Sequence, residues 1–96
     1  MKNEGLLGQR RAVIRAVLHY LIKNPDAKDT IDGVRRWWLL EVYREQRQEE
    51  IEETLDFLAS KRWLTIRITS QQKIYGLNKK FLEQIKNYLN DSDSQE

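Results

Sequence analysis

The stretch Gln48 to Trp63, QEEIEETLDFLASKRW, with the run that follows it, constrains this chain more than any other. Ile51, Leu55 and Leu58 recur at i, i+4 and i+7, which puts them on one side of a helix. Thr54 and Ala59 flank that stripe, Phe57 lies at its edge, and Glu49, Glu50, Glu52, Glu53 and Asp56 take the opposite side. The spacing predicts a helix over about Arg47 to Lys61. From Trp63 to Thr69 the period changes to two, with Leu64, Ile66 and Ile68 facing one way and Thr65 and Arg67 the other, as in a half-buried strand. Ser70-Gln71-Gln72 turns the chain, and Lys73 to Leu77 is expected to return as a second strand with Tyr75 and Leu77 inward.

Upstream, Gln9 to Lys23 has a helical period. Arg11, Arg15, His19 and Lys23 form one narrow polar stripe, and nearly everything else is apolar. A helix apolar over so much of its circumference must be covered on more than one side, by its own domain or by a second subunit. Met1 to Gly8 reads as a flexible lead-in. Asn24-Pro25-Asp26 breaks the helix, since proline cannot continue it. A second helix is expected to start at Asp29 or Thr30, with Asp29 as its N-cap and Asp32 in its first turn. Ile31, Val34 and Trp38 share its buried face, and it reaches Tyr43 at the furthest, with the turn in Glu41 to Arg47. Gly33 inside it costs about 1 kcal/mol relative to alanine, which points to close approach of another helix. Asn78 is placed to cap a last helix, Lys79 to Asn90, whose apolar face is Phe81, Leu82, Ile85, Tyr88 and Leu89. Asp91 to Glu96 reads as a disordered acidic tail. The expected domain is therefore 9–90.

Ninety-six residues, 40% of them hydrophobic, suffice for one domain with a modest core. The formal charge is only +2, so its distribution matters more than its sum. Gln48 to Ser60 holds five acids, and all 17 bases lie outside it. The absence of cysteine excludes disulfides and thiolate metal sites and fits a reducing cytoplasm. No secretory signal is visible, and Arg15 and His19 interrupt the most apolar stretch, so no membrane span is expected. The single histidine has no second histidine or cysteine to complete a metal site or a catalytic dyad. The four glycines form no phosphate-cradling loop. No catalytic residue, metal or cofactor is expected.

The order helix, helix, turn, helix, hairpin, helix resembles the winged helix-turn-helix superfamily. The likeness covers Gln9 to Asn78 and is best in EEIEETLDFLASKRWLTIRITSQQKIYGLN, with its Leu55–Leu58 spacing, helix end and two wing strands. The resemblance implies an α+β fold: a three-helix core, a two-stranded β-hairpin wing and an added C-terminal helix. It also implies duplex DNA as ligand, with the third helix in the major groove and the wing near the minor groove or backbone. Carried over, the contacts fall on Arg44, Arg47, Gln48, Glu49, Glu52 and Glu53 in the helix and on Arg67 and Lys73 in the wing. Proteins of this kind often dimerise through the first and last helices, which makes a homodimer one expectation here.

The sign of the third helix opposes the implied ligand. Duplex DNA carries one negative charge per roughly 1.7 Å, and a carboxylate reads cytosine only among cations. Two functional readings follow, beside the plain one of a solvated helix face. The first is a non-catalytic protein-interaction or adaptor module that presents Glu49, Glu52, Glu53 and Asp56 to a basic protein partner. Trp37 is its further contact, because adjacent tryptophans on a helix point about 100° apart and Trp38 is in phase with the core. The alternative is a DNA-binding transcriptional regulator gripping through Arg44, Arg47, Gln48, Arg67 and Lys73.

Overall fold

The computed structural model describes residues 2–39 and 47–94, with side chains for 10–39 and 47–91. The fold is α+β, with four helices and a small antiparallel sheet of three strands among the described residues. Helix α1 spans Lys2–Lys23, strand β1 Lys28–Asp29, and helix α2 only Ile31–Gly33 before it passes into a π-helical turn, Val34–Trp38. Helix α3 is Gln48–Ser60, strand β2 Leu64–Ile68, strand β3 Lys73–Leu77, and a 3₁₀ turn at Lys79–Phe81 leads into helix α4, Leu82–Ser94. The sheet order is β1-β3-β2. Tyr75 at the middle of β3 lies opposite Asp29 on one side and Ile66 on the other.

Helix α1 is the central support. Val13, Ile14, Val17, Leu18 and Leu21 are all buried, and α1 packs against α3, α4 and the π turn, while Arg11, His19 and Lys23 of its polar stripe are exposed. Ile51, Leu55 and Leu58 fill the space beneath α3, Leu64, Tyr75 and Leu77 line the sheet, and Ile85 and Leu89 seat α4. Each fully buried aliphatic side chain of this kind contributes about 1.5–3 kcal/mol. Tyr20 stacks on Trp38 with ring centroids 5.7 Å apart. Helix α4 packs on α1 within the chain, with Ile85 and Leu89 of its apolar face buried and Phe81, Leu82 and Tyr88 half-buried.

Several expectations are corrected. The sheet has three strands, not the two of a simple hairpin: Lys28–Asp29 adds an edge strand that is too short to show a period of two. Helix α1 begins at Lys2, so the expected lead-in is helical from that residue, and α4 continues through Asp91 to Ser94 into the expected tail. Both extensions follow from cooperativity, since a helix nucleated on a packed core adds residues at far lower cost than it starts. The second helical segment ends at Trp38, where Leu39 is extended (φ −107°, ψ 145°); residues 40–46, including the expected turn and Arg44, lie outside the described residues. Ile68, expected inward with Leu64 and Ile66, ends its strand 76% exposed.

Asp29 is not an N-cap. Thr30 holds that position without a side-chain hydrogen bond, and the Asp29 carboxylate accepts instead from Trp38 Nε1 at 2.6 Å. The indole of Trp38 is buried, and a buried N–H left without an acceptor costs about 1–3 kcal/mol. This arrangement also explains Gly33. A Cβ there would lie 2.7 Å from Asp29 Cβ and Oδ1, so the glycine makes room for the Asp29 side chain rather than for another helix.

The end of α3 is a Schellman motif. Trp63 N–H donates to the Leu58 carbonyl at 3.1 Å and Arg62 N–H to that of Ala59 at 2.9 Å, which puts Arg62 in the left-handed region (φ 68°) that glycine usually fills. Asn78 secures this turn. Its Nδ2 donates to the Arg62 carbonyl at 2.8 Å, its N–H donates to that of Trp63, and its Oδ1 accepts from Lys80 N–H at the start of the 3₁₀ turn.

Two stability measurements check these assignments. Gly33→Ala is expected to destabilise the protein by about 1–3 kcal/mol in urea unfolding, since overpacking against Asp29 outweighs alanine's advantage of about 1 kcal/mol in a helix. Arg62→Gly is expected to be neutral or stabilising by up to about 1 kcal/mol, because the left-handed backbone then carries no Cβ penalty.

Candidate interaction surfaces

Helix α3 buries Ile51, Thr54, Leu55 and Leu58 and turns its acids away from them. Glu49 and Glu53 are exposed, while Glu50, Glu52 and Asp56 are half-buried at the flanks. The structure thus brings the four acids singled out from the sequence, Glu49, Glu52, Glu53 and Asp56, onto one helix surface. It also supplies cations to that surface. Arg47 lies 2.9 Å from Glu49 at the start of the helix, Arg10 of α1 reaches Glu53 at 3.4 Å, and Lys73 of β3 reaches Asp56 Oδ2 at 3.3 Å. Glu49, Glu53 and Asp56 are thus each paired with a cation of the same chain.

These pairs differ in strength. Arg47–Glu49 and Arg10–Glu53 are exposed, and ion pairs of that kind contribute about 0–1 kcal/mol and exchange partners readily. Asp56 is held more firmly. Its Oδ1 accepts from the hydroxyl of Tyr75 at 3.1 Å, and Tyr75 is completely buried. Burial pushes the Tyr75 phenol well above its ordinary pKa, and the negative charge of Asp56 and its hydrogen bond push it further in the same direction. The Asp56–Tyr75–Lys73 group was not foreseen from the sequence. The signal available for it was the i, i+2 spacing of Lys73 and Tyr75, which puts both on one side of β3.

The other sequence-predicted residues are distributed as follows. Gln48 is exposed at the first turn of α3, and Arg67 is exposed on β2. Trp37 is 64% exposed on the π turn, and among the described residues no ring contact or hydrogen bond joins it to α3. The cations named for DNA are thus split: Arg47 and Lys73 are bonded to α3 carboxylates, and Arg67 stands apart on the sheet edge.

A second surface lies on the other flank of α3. Ile14 of α1, Phe57 and Leu58 of α3, Trp63, and Tyr88 of α4 line a groove of about 370 Å³. Arg10, Arg11 and Lys61 are its charged members. Trp63 meets Tyr88 edge-on with centroids 5.4 Å apart, and Lys61 Nζ sits 5.1 Å above the Trp63 ring and 5.6 Å above that of Phe57. Trp63 thus joins the residue that caps α3, Lys61, to Tyr88 of α4. Among the described residues no group of three or more His, Asp or Glu side chains is placed to hold a metal ion, and no helix is long and apolar enough to cross a membrane.

Compared with known proteins, the chain matches no family model, no curated protein sequence and no solved structure.

The Tyr75 environment makes a prediction about pH. The folded state keeps the phenol protonated above the pH, about 10, at which the unfolded chain releases it. Its contribution to stability is therefore intact below pH 10 and is lost as pH rises beyond that value. Unfolding free energies measured from pH 8 to 11 are expected to fall more steeply above pH 10 in the native sequence than in Tyr75→Phe; equal slopes would contradict the assignment.

Proposed function

We propose that this protein is a non-catalytic interaction module on a winged-helix scaffold that docks a basic protein segment on the acidic face of α3. The scaffold part of the reading is supported by the element order, with three helical segments, a hairpin and a last helix in the sequence the resemblance implies, and with β1 as an added edge strand. A scaffold does not dictate its use, so the ligand is argued from the surface.

The observation that carries the proposal is the sign of α3: it holds five carboxylates and no base, and Arg47 and Lys73, two of the cations a DNA grip would use, are paired with Glu49 and Asp56. Arg47 and Lys73 would have to leave Glu49 and Asp56 to reach phosphates, and the helix they left would be more anionic still. A basic partner meets no such conflict. Its lysines or arginines replace the exposed Arg47–Glu49 and Arg10–Glu53 pairs one for one and add contacts to Glu52. Trp37 supplies an aromatic anchor beyond the charged face, since large exposed aromatics often carry much of an interface's binding energy.

A paired titration tests this reading. A labelled arginine-rich peptide is expected to bind at low salt and to weaken as salt is added, and the triple reversal Glu49→Lys, Glu52→Lys, Glu53→Lys is expected to lower its affinity at least about tenfold. Labelled duplex DNA is expected not to bind even at low salt. Tight DNA binding with a steep salt slope, lost in Arg47→Glu, would instead establish the transcriptional-regulator reading.

A further inference from the structure

The groove between α1, the C-terminal end of α3 and α4 has the opposite character to the α3 face. We propose that it binds an acidic segment of another protein, one aliphatic side chain of that segment filling the groove and its flanking carboxylates meeting Arg10, Arg11 and Lys61. Its floor is apolar and well packed, with Ile14 and Leu58 buried, while Phe57 remains 48% exposed. A volume of about 370 Å³ is at the small end of binding pockets and suits one or two side chains rather than a large ligand. Among the described residues the charged ones that line it, Arg10, Arg11 and Lys61, are all cationic, with Arg10 also reaching Glu53 at 3.4 Å.

The aromatic geometry selects an aliphatic anchor over a flat ring. The ammonium of Lys61 lies over both Phe57 and Trp63, and Tyr88 takes an edge of Trp63. A nucleobase or aromatic side chain would have to displace Lys61 to stack, and would lose the cation–π contacts it replaced. An aliphatic chain needs only the Ile14–Leu58 floor. Composition and charge disfavour the nearer candidates from within this protein. The acidic end of α4 has no apolar residue after Leu89. Among the described residues, a second copy would offer Trp37, Ile68 or Phe57 as its exposed large apolar side chain: Trp37 and Ile68 follow Arg36 and Arg67, which would bring like charge to the cationic rim, and Trp37 and Phe57 are aromatic rings of the kind Lys61 keeps out.

This site stands apart from the α3 docking surface except at Arg10, so the test uses Arg11 and Phe57. The probe is a fluorescein-labelled peptide with one central leucine between aspartates and glutamates, followed by fluorescence anisotropy with the full chain. Saturable binding is expected, weakened at least about tenfold by Leu→Ser in the peptide and by Arg11→Glu or Phe57→Ser in the protein. Circular dichroism melts of both protein variants check that they fold. Affinity unchanged or increased in the triple reversal of Glu49, Glu52 and Glu53 is also expected and separates this site from the α3 reading. The proposal is overturned if the leucine peptide does not bind, if the serine peptide binds equally well, if either folded variant binds with native affinity, or if a single-stranded oligonucleotide binds more tightly than the peptide.

Discussion

The bond between the Asp56 carboxylate and the Tyr75 hydroxyl ties the acidic face of α3 to the core of this protein. Tyr75 occupies the middle of the central strand, fully buried, and a buried phenol needs an acceptor. Asp56 provides one from α3, and Lys73, two residues before Tyr75, closes the arrangement from the same strand. Across the sheet, Asp29 lies opposite Tyr75 and accepts from the buried indole of Trp38. Two carboxylates thus each satisfy an aromatic donor. Together they tie α3 and the π turn to the sheet, and Gly33 is the concession the backbone makes to one of them.

This arrangement has a consequence for binding. Asp56 and Lys73 are committed to each other and to the core, so neither is available at no cost to a partner of either sign. What remains on α3 is an exposed pair of glutamates, Glu49 and Glu53, whose ion pairs are weak, with Glu52 beside them. On the far flank, beyond Phe57, the sign reverses at Arg11 and Lys61. One small domain therefore carries two surfaces of opposite charge, both of them built partly on α3. Arg10 touches both, as a partner of Glu53 and as a lining residue of the groove.

Much of the core was legible because burial follows period. Ile51, Leu55 and Leu58 are buried as their spacing predicts, Tyr75 and Leu77 point inward, and Trp38 is buried while its neighbour Trp37 is not. The failures share a cause: local pattern does not encode what a distant segment contributes. Strand β1 has two residues and no period, and it exists because β3 offers an edge. Asp29 has the composition of an N-cap, but a tryptophan nine residues on claims its carboxylate. Arg62 gives no glycine signal for the left-handed turn it makes, which Asn78 secures from 16 residues away. The α3 face was legible as acidic, but the cations that partly neutralise it come from places as remote as Arg10, 43 residues from Glu53. The groove was not legible at all, since it is assembled from three helices.

The most direct test of this account is a double-mutant cycle on Asp56 and Tyr75, with stability measured by urea unfolding at neutral pH. Asp56→Ala alone leaves a buried hydroxyl without its acceptor, and Tyr75→Phe alone removes that hydroxyl. The account predicts that the double variant is more stable than the sum of the single losses implies, with a coupling of about 1–2 kcal/mol. Additive effects, within about 0.5 kcal/mol, would contradict it and would return Asp56 to the set of carboxylates free to engage a partner.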